Sequence, residues 1–376
     1  MKPRERVLTA LEHREPDSVP LDFLGGVSSI TLQAYVKLKE YLGLAWEGEK
    51  YDFWNVMITI DPGILRLFKI DFRRVGLNLP AGWKMKVYPD GTFLDEWGLR
   101  RKPSPDGLYY EVVPTLQNVI EKEDIDNHPW PNSEAPGLTD GLRKMAKELE
   151  EAGWAVATSP VGGGIFEIAW WLRGFNNFIK DLYTNPDFAC YLLNKITEVQ
   201  ISLFDILLDE VGDYVVMVQI GDDLGTQTGP LIPLNLYRKY IKPYHKKLCD
   251  FIHRKTDAKI MIHSCGAVEP FISDFIDAGI DVLNPVQPLA KGMDTKILKE
   301  KYGDKICFHG GIDTQRVLPY GTPLEVRKEV KRRIRDLAPN GGYILAPSHN
   351  IQVDTSPENI IALYKAAQKY GKYKKD

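Results

Sequence analysis

The sequence of 376 residues has no long apolar run and no excess of charge of either sign. A membrane-spanning helix needs about 18 or more consecutive apolar residues, and no segment approaches that length. The 48 Lys and Arg residues face 51 Asp and Glu residues, so the formal net charge is −3. This balance argues against a nucleic-acid-binding protein, which usually carries a strongly basic face. The first residues, MKPRERVLTALEHREP, are charged and helical in pattern rather than signal-like, and we expect a cytoplasmic protein.

Cysteine is also scarce, with four residues in the whole chain: Cys190, Cys249, Cys265 and Cys307. So few cysteines in so long a chain do not form a disulfide scaffold, and in a reducing compartment we expect free thiols or metal ligands. Cys190 and Cys249 fall in amphipathic helical stretches, and Cys307 lies in the apolar run ICF. We expect these three to be buried as small hydrophobic residues, which leaves Cys265 as the candidate ligand.

Eight β-rich apolar runs recur along the chain, and most are followed by a Gly-rich or polar stretch and a helical pattern. The runs lie at 19–23, 70–75, 154–160, 214–220, 258–263, 280–286, 305–310 and 342–347. Near-continuous hydrophobic strands are typical of parallel sheets, which are covered on both faces or closed around their own side chains. Eight strand-helix units predict an α/β fold, a (β/α)8 TIM barrel with N-terminal helices; an open doubly wound sheet is the alternative.

Residues 78–132 interrupt this alternation and predict a β-hairpin insertion. Two Asp-Gly pairs, Asp90-Gly91 and Asp106-Gly107, stand between β-rich segments, as in tight hairpin turns. A TIM barrel uses roughly 250 residues, so the insertion and the N-terminal helices account for most of the surplus length. We therefore expect one elaborated barrel domain over residues 1–376.

In a TIM barrel the active site lies at the C-terminal ends of the strands, where the loops to the following helices converge. The predicted strand ends carry residues of the types that bind metals, protons or substrates. These are Gly163, Asp222, Asp223, Gln227, His263, Cys265, Gln287, His309, Asp313 and His349. We expect all of them on one rim of the barrel.

Three of these residues form a candidate metal site. His263 and Cys265 are two positions apart at a strand end, so both side chains lie on the same side of the chain, about 7 Å apart along it. With His349 from the last strand, the donors are two nitrogens and a sulfur. Zinc takes such sets, and three protein ligands leave a fourth position open for water or substrate. The alternative is a buried histidine bonded to backbone beside an inert thiol.

The proton-transferring candidates are Asp222, Asp223 and His309. Asp222 and Asp223 are adjacent carboxylates, so one can raise the pKa of the other and handle a proton; capping of the next turn is the alternative. His309 can be a fourth ligand, a general acid or base, or a residue that satisfies its own backbone, and we favour a role without metal.

Substrate contact is expected at Gly163, Gln227, Gln287 and Asp313. The glycine run 162–164 allows a ligand to approach the backbone closely, but it lacks the Lys and Ser/Thr of a phosphate-binding P-loop. The sequence therefore predicts a small-molecule substrate and no nucleotide.

Six segments together resemble the uroporphyrinogen decarboxylase superfamily. They are RERVLTALEHREPDSVPLDF, GGGIFEIAWWLRGFNNFIKDL, GDDLGTQTGPLIPLNLYRKYIKPYHKKL, MIHSCGAVEPFISDFIDAGIDVLNPVQ, ICFHGGIDTQ and APSHNIQVDTSPENI. The resemblance covers nearly the whole chain and implies a (β/α) barrel. It also implies one of two activities: the cofactor-free decarboxylation of haem biosynthesis, or zinc-dependent methyl transfer, as in methylcobalamin:coenzyme M methyltransferases.

The decarboxylase activity fits one segment poorly. The superfamily's decarboxylases carry an arginine-rich segment of the type MRQAGR after the first strand. Its guanidinium groups pair with the carboxylates of their substrate. Here residues 22–30 read DFLGGVSSI, and no arginine occurs between Arg14 and Arg66. Carboxylates desolvated without guanidinium partners cost several kcal/mol each, so we do not expect uroporphyrinogen as substrate.

The methyltransferase branch fits the candidate metal site. It resembles this chain in a His-x-Cys after the fifth strand, which His263 and Cys265 match, and His349 falls where the branch has a further Cys. The change from Cys to His keeps a zinc-competent ligand and removes one thiolate charge, which makes the metal a stronger Lewis acid. Gln287 lies near the position of a carboxylate ligand in the methionine synthases, so it is a weak oxygen donor or a hydrogen-bonding partner of the site.

Our leading hypothesis is a zinc-dependent methyltransferase that moves a methyl group between a corrinoid and a thiol or methoxy-type substrate. The chain has no segment like a corrinoid-binding domain, so we expect the cobalamin on a partner protein. The alternatives are a metal-independent decarboxylase of a small carboxylate and a non-catalytic corrinoid-binding protein. The sequence does not indicate the methyl donor, the acceptor or the oligomeric state.

Overall fold

The computed structural model describes residues 1–23, 27–52, 56–104, 110–119 and 121–373. Its strands, in chain order, are β1 (Phe72–Val75), β2 (Lys86–Val87), β3 (Phe93–Leu94), β4 (Arg100–Pro103), β5 (Tyr110–Val113), β6 (Ala155–Thr158), β7 (Val215–Gly221), β8 (Lys259–His263), β9 (Val282–Val286), β10 (Cys307–Ile312) and β11 (Tyr343–Pro347). Seven of them form one parallel sheet in the order β1-β6-β7-β8-β9-β10-β11, and β2 to β5 form a separate antiparallel sheet.

Residues 19–23 occupy the eighth position of the barrel, between the two edges of the parallel sheet. Leu21 forms a parallel bridge with Leu345 of β11, and the Asp22 amide donates to the Leu345 carbonyl. On the other side, the Asp71 amide, next to β1, donates to the Leu21 carbonyl. The apolar run at 19–23 therefore continues the sheet from its last strand to its first, which confirms the predicted α/β barrel.

Helices follow the strands and pack around them. They are α1 (Pro3–Leu11), α2 (Leu32–Leu42), α3 (Pro62–Phe68), α4 (Lys122–Asp126), α5 (Leu142–Glu151), α6 (Ile165–Arg173), α7 (Phe175–Thr184), α8 (Pro186–Val211), α9 (Leu234–Leu236), α10 (Lys242–Lys255), α11 (Ile272–Ala278), α12 (Thr295–Tyr302), α13 (Val317–Tyr320), α14 (Pro323–Leu337) and α15 (Pro357–Tyr370). A π-helical turn, Tyr237–Ile241, joins α9 to α10, and a 3-10 turn, Glu269–Phe271, precedes α11. Within the described chain, none of these helices has both the length and the apolar character that a bilayer span requires.

Two helices begin at polar caps, whereas Asn185, before Pro186 of α8, forms no side-chain cap bond with any described residue. Thr322 accepts a hydrogen bond from the Glu325 amide and Ser356 accepts one from the Asn359 amide, and each cap precedes a first-turn proline. These side chains satisfy amides that have no partner inside the helix.

The interior of the barrel is apolar at its N-terminal end. Side chains of all seven strands of the parallel sheet form one buried cluster there, comprising Phe72, Ala155, Ala157, Val216, Met217, Met261, Val282, Cys307 and Ile344, together with Val7 and Leu11 of α1. Because α1 supplies two members of this cluster, it closes this end of the barrel. Polar groups are left at the opposite, C-terminal end of the strands. Cys249 and Cys307 are buried free thiols, as predicted, and Cys190 is partly buried.

The antiparallel sheet β2 to β5 lies in the predicted insertion. The Asp90-Gly91 turn joins β2 to β3, and Gly91 has a φ of +79°, which favours glycine. The second predicted turn, Asp106-Gly107, lies outside the described residues, between the paired strands β4 and β5. The hairpins are confirmed, and the assignment of the whole chain to one domain stays a prediction.

The closure of the barrel at Leu21 depends on a buried carboxylate, Asp71. Its Oδ2 accepts from the Leu21 amide at 2.8 Å, and its Oδ1 contacts Nη1 of Arg6 at 2.5 Å. Burial raises the pKa of Asp71 to about 6, although the charge of Arg6 acts in the opposite direction. An acid with a higher pKa in the folded state stabilises the fold when protonated, so this contribution is lost as the pH rises through 6.

We therefore predict that the wild-type protein loses up to about 3 kcal/mol of unfolding free energy relative to Asp71→Asn between about pH 4 and pH 7. Urea denaturation of both proteins at several pH values measures this difference. The exposed Asp213→Asn variant controls for the same chemical change at the surface. A difference between wild type and Asp71→Asn that is constant over this pH range would contradict the prediction.

Candidate metal centre

The C-terminal ends of two strands bring His263, Cys265 and His349 together. His263 ends β8, Cys265 follows two residues later, and His349 follows β11 by two residues. One donor atom from each lies within 4.8 Å of the other two. Nε2 of His263 is 3.3 Å from Sγ of Cys265, and the two imidazole rings have centroids 5.7 Å apart. The predicted ligand set is therefore a spatial cluster; that it binds a metal stays a prediction.

The orientation of His263 is set by Asn284 of β9, its partner in the strand register. Nδ1 of His263 is 2.5 Å from Oδ1 of Asn284, and an amide oxygen only accepts hydrogen bonds. The proton of the neutral ring is therefore on Nδ1. Nε2, on the side of Cys265, then has a free lone pair, which is the form a metal ligand requires.

Cys265 is held by its backbone. Its amide donates to Oδ1 of Asp223 at 2.8 Å, and the next residue, Gly266, has a φ of +86°. A Cβ at Gly266 would lie 2.6 Å from the carbonyl oxygen of Gly225, so the two loops meet backbone to backbone. Burial and the charge of Asp223 raise the pKa of the Cys265 thiol well above its ordinary value, while a hydrogen bond from Gln287 acts in the opposite direction.

His349 completes the cluster as a neutral ring. Burial and the nearby His263 lower the pKa of His349 to about 4, so at neutral pH its imidazole has a free nitrogen lone pair. Two neutral imidazoles and one thiol form a donor set of two nitrogens and one sulfur that suits tetrahedral zinc, and three ligands leave one position for a substrate. The carboxylate of Asp223, whose Oδ1 is 3.8 Å from Nε2 of His263, further favours a cation here. The residues present therefore fit the metal.

The two adjacent aspartates have different surroundings. Asp222 is fully buried, and it accepts hydrogen bonds from the amides of Phe166 and Glu167 and from Nε2 of His245. These bonds fasten the start of α6 and the first turns of α10 to the end of β7. Asp222 thus caps α6, which lies earlier in the chain, rather than the next turn, and Asp223 is the carboxylate that is partly exposed beside the cluster.

Two further residues beside Asp222, His245 and Tyr237, were not predicted from the sequence. The Tyr237 hydroxyl lies 3.1 Å from Nδ1 of His245, at the π-helical turn that precedes α10. Because Nε2 of His245 donates to Asp222, Nδ1 is the acceptor and the hydroxyl is the donor. Burial raises the pKa of Tyr237 well above its ordinary value, so the hydroxyl keeps its proton.

Glu167 is a third residue that was not predicted from the sequence. It stands three positions after Gly164, and its Oε2 accepts from the Gly164 amide at 3.2 Å, as in a capping box. Burial, with the charges of Asp223 and Asp222, raises the pKa of Glu167 well above its ordinary value. The carboxyl group near the cluster whose pKa is raised is thus Glu167, whereas the sequence predicts one of the aspartate pair. A Glu at the third position of a predicted helix is the signal that could have identified it.

The glycine run 162–164 is required by packing. A Cβ at Gly162, Gly163 or Gly164 would lie 2.3 to 2.4 Å from Trp97, Trp171 or Asp222 respectively. The carbonyl of Gly163, an expected substrate contact, accepts from Nε2 of Gln200 at 2.7 Å.

The other expected substrate contacts bond to the chain itself. Oε1 of Gln287 accepts from Nε2 of Gln227 and from the Gly266 amide, both at 3.0 Å, so these residues join three rim loops beside Cys265. Asp313 is buried and accepts from the amides of residues 315–317, at the start of α13. Gln287 thus lies at the cluster, whereas Asp313 caps a helix.

His309 is fully buried in a polar layer below the cluster. Its Nε2 is 3.0 Å from Oδ2 of Asp22, and its Nδ1 is 2.7 Å from Nδ2 of Asn284. Burial lowers the pKa of His309, although Asp22 acts in the opposite direction. Asp22 is in turn paired with Nη2 of Arg74 at 2.6 Å. Arg74 was not predicted from the sequence. An arginine was sought in the segment that follows residues 19–23, and Arg74 lies in β1.

Comparisons with known proteins place the chain among enzymes of two activities. The model of the family "Uroporphyrinogen decarboxylase (URO-D)" matches residues 108–370. The chain is 26% identical over 275 residues to a uroporphyrinogen decarboxylase of Trichlorobacter lovleyi, covering 71% of this chain and 74% of the relative. It is 20% identical over 372 residues to the methylcobamide:CoM methyltransferase MtbA of Methanosarcina acetivorans, covering 98% of each. The solved structure of a methyltransferase from Methanosarcina mazei matches with a TM-score of 0.69 at 18% identity, over 98% of this chain and 99% of that one, which supports the fold.

The close contact between Gly164 and Asp222 yields a stability prediction. In Gly164→Ala, the new Cβ would meet Oδ1 of Asp222 at 2.3 Å and displace the carboxylate that caps α6. We expect a loss of about 1 to 3 kcal/mol of unfolding free energy, measured by chemical denaturation. Gly229→Ala is the matched control, because nothing lies within 4 Å of the Cβ that it adds. Equal stability of the two variants would contradict the packing argument.

Proposed function

The chain belongs to the uroporphyrinogen decarboxylase family, and we propose that within it this protein is a zinc-dependent methyltransferase. In this proposal it moves a methyl group between a corrinoid, carried by a partner protein, and a thiol or methoxy-type substrate. The observation that carries the proposal is the cluster of His263, Cys265 and His349, whose donor atoms lie within 4.8 Å of one another at the mouth of the barrel. Cofactor-free decarboxylation has no use for such a cluster.

The full-length relatives support the same choice. The methylcobamide:CoM methyltransferases MtbA of Methanosarcina acetivorans and MtaA of Methanosarcina barkeri match over 98% of this chain and 98% of their own length. The match to the decarboxylase of Trichlorobacter lovleyi covers 71% of this chain.

The metal ligands in the proposal are Nε2 of His263, Sγ of Cys265 and a ring nitrogen of His349. Zinc supplies Lewis-acid chemistry that lowers the pKa of a substrate thiol, so that a thiolate forms at neutral pH. Asn284 keeps Nε2 of His263 free of a proton, and the bond from the Cys265 amide to Asp223 holds the Cys265 loop in place.

The proton of a substrate thiol must leave the site, and Asp223 is placed to accept it. Its carboxylate is about one third exposed and its Oδ1 is 3.8 Å from Nε2 of His263, so a proton taken up there has a route to solvent. Glu167 is less suited to this role, because its Oε2 already accepts from the Gly164 amide at the start of α6. Asp222 is also less suited, because its oxygens already accept three hydrogen bonds. We assign Glu167 and Asp222 to the support of Asp223 and α6.

The rim has apolar side chains suited to a protein partner. Ile58 lies between α2 and α3, Leu289 follows β9, and Tyr320 ends α13; these side chains are 55%, 42% and 77% exposed. Exposed apolar groups around a site favour protein contacts. A corrinoid protein docked on this face would bring its cobalt to the mouth of the barrel.

Metal binding tests the ligand set. We expect about one zinc per chain in protein reconstituted after chelator treatment, and a loss of affinity of roughly 100-fold or more in Cys265→Ala and in His349→Ala, because each removes one of three ligands. Elemental analysis and competition with a chromophoric chelator measure both quantities. Cys190→Ala and His253→Ala are matched controls on outer helices and should bind zinc like the wild type. Full zinc affinity in Cys265→Ala would contradict the assignment.

Methyl transfer tests the function itself. We expect zinc-loaded protein to demethylate free methylcobalamin in the presence of a thiol such as coenzyme M, and we expect Cys265→Ala to be inactive while Cys190→Ala keeps its rate. The absorbance change of the corrinoid measures the reaction.

The rival functions give different results in the same assays. A decarboxylase would release carbon dioxide from a small carboxylate after chelator treatment, and Cys265→Ser would be nearly silent. A non-catalytic binding protein would bind cobalamin without turnover for any methyl donor or acceptor. Either result would replace the methyltransferase proposal.

A further inference from the structure

A continuous chain of hydrogen bonds crosses the interior of the barrel and ends on a proposed metal ligand. It starts at the ion pair of Arg74 and Asp22, where Nη2 and Oδ2 are 2.6 Å apart. Oδ2 of Asp22 is 3.0 Å from Nε2 of His309. Nδ1 of His309 is 2.7 Å from Nδ2 of Asn284, and Oδ1 of Asn284 is 2.5 Å from Nδ1 of His263.

The four inner members come from four different strands and share one buried layer. Asp22, Asn284 and His309 are fully buried, and His263 is 8% exposed. In such a layer an unpaired donor or acceptor costs about 1 to 3 kcal/mol, so each bond has to join one donor to one acceptor. Because these groups are buried, bulk water does not reach them and cannot replace a mismatched hydrogen bond.

The ion pair sets the direction of the whole chain. The Asp22 carboxylate beside Arg74 can only accept, so Nε2 of His309 carries a proton and donates it. Nδ1 of His309 is then an acceptor, and it takes a hydrogen bond from the amide nitrogen of Asn284.

The amide oxygen of Asn284 consequently faces His263. Because this oxygen only accepts hydrogen bonds, Nδ1 of His263 must carry the proton. In this orientation Nδ2 of Asn284 also donates to the Ser28 hydroxyl, at 3.2 Å. If the amide were reversed, His309 would present a lone pair to the Asp22 carboxylate. The reversed chain is therefore disfavoured at its first link.

We propose that Asn284 and His309 are positioning residues that hold His263 in the Nδ1–H tautomer, and that the Arg74–Asp22 pair imposes this tautomer from across the barrel. His309, an expected acid or base, acts in this proposal only through its neighbours. The consequence for the metal, a higher affinity at Nε2 of His263, rests on the proposed function, whereas the tautomer does not.

The tautomer is measured on metal-free protein. Long-range proton–nitrogen NMR of protein labelled with nitrogen-15 at histidine should show a protonated Nδ1 and an unprotonated Nε2 for His263, assigned with a His263→Gln sample. His309→Phe frees the Asn284 amide to rotate, so we expect His263 to become a mixture of both tautomers. A wild-type His263 protonated on Nε2 would overturn the proposal, as would an unchanged His263 signal in His309→Phe.

Zinc affinity measures the consequence. Partners of metal-bound histidines contribute about 10- to 100-fold to affinity, so we expect Asn284→Leu to weaken zinc binding by this factor. Asn359→Leu is the matched control: Asn359 is a buried amide on α15 that donates two hydrogen bonds to carbonyl oxygens, and its removal should leave zinc affinity within about twofold. Equal effects of the two variants would mean that Asn284 acts only through general stability.

The two measurements separate failure of this proposal from failure of the proposed function. Protein that binds no zinc but shows the Nδ1–H tautomer would retain the positioning role and refute the zinc enzyme. Protein that binds zinc with an Nε2–H His263 in the metal-free state would do the reverse. If Asn284→Leu does not fold, the wild-type and His309→Phe spectra still decide the tautomer.

Discussion

The buried ion pair between Arg74 and Asp22 is the interaction on which the centre of this barrel depends. It joins the segment that closes the sheet, residues 19–23, to β1, and Asp22 also accepts from His309. A buried charge pair needs hydrogen bonds to its remaining polar atoms. Nη1 of Arg74 donates to the Thr158 carbonyl and Asp22 accepts from His309, whereas Nε of Arg74 is buried without a partner among the described residues. The layer of polar side chains that provides these bonds ends at the candidate metal site.

Four carboxyl groups near the mouth have four different roles because their partners differ. Asp22 is paired with a guanidinium. Asp222 accepts hydrogen bonds from two backbone amides and from one imidazole. Burial, with the charges of Asp223 and Asp222, raises the pKa of Glu167 well above its ordinary value. Asp223 alone among these combines partial exposure with a position beside His263. The pKa and the accessibility of a carboxyl group thus depend on what surrounds it, and adjacency in sequence carries little information about either.

The family contains two activities on one barrel, and the balance of charge in the mouth is a physical basis for separating them. A substrate with many carboxylates needs unpaired guanidinium groups. In the described part of the barrel interior, Arg74 of β1 carries a guanidinium group, and Asp22 neutralises its charge. The cluster of two imidazoles and a thiol is suited to a metal instead. This distribution of charge is the reason for our preference for methyl transfer.

The sequence by itself determined the number and order of the strands, the hairpins after Asp90-Gly91 and the place of His263, Cys265 and His349 on one rim. Those features depend on apolar runs, turn residues and short spacings, which are local properties of the chain. Only the tertiary structure decided that Asp222 is a cap, that Glu167 is the carboxyl group with the raised pKa, and that Asn284 connects His309 to His263. These roles depend on contacts between residues that are 21 to 56 positions apart in the sequence. Such contacts form only when the barrel closes.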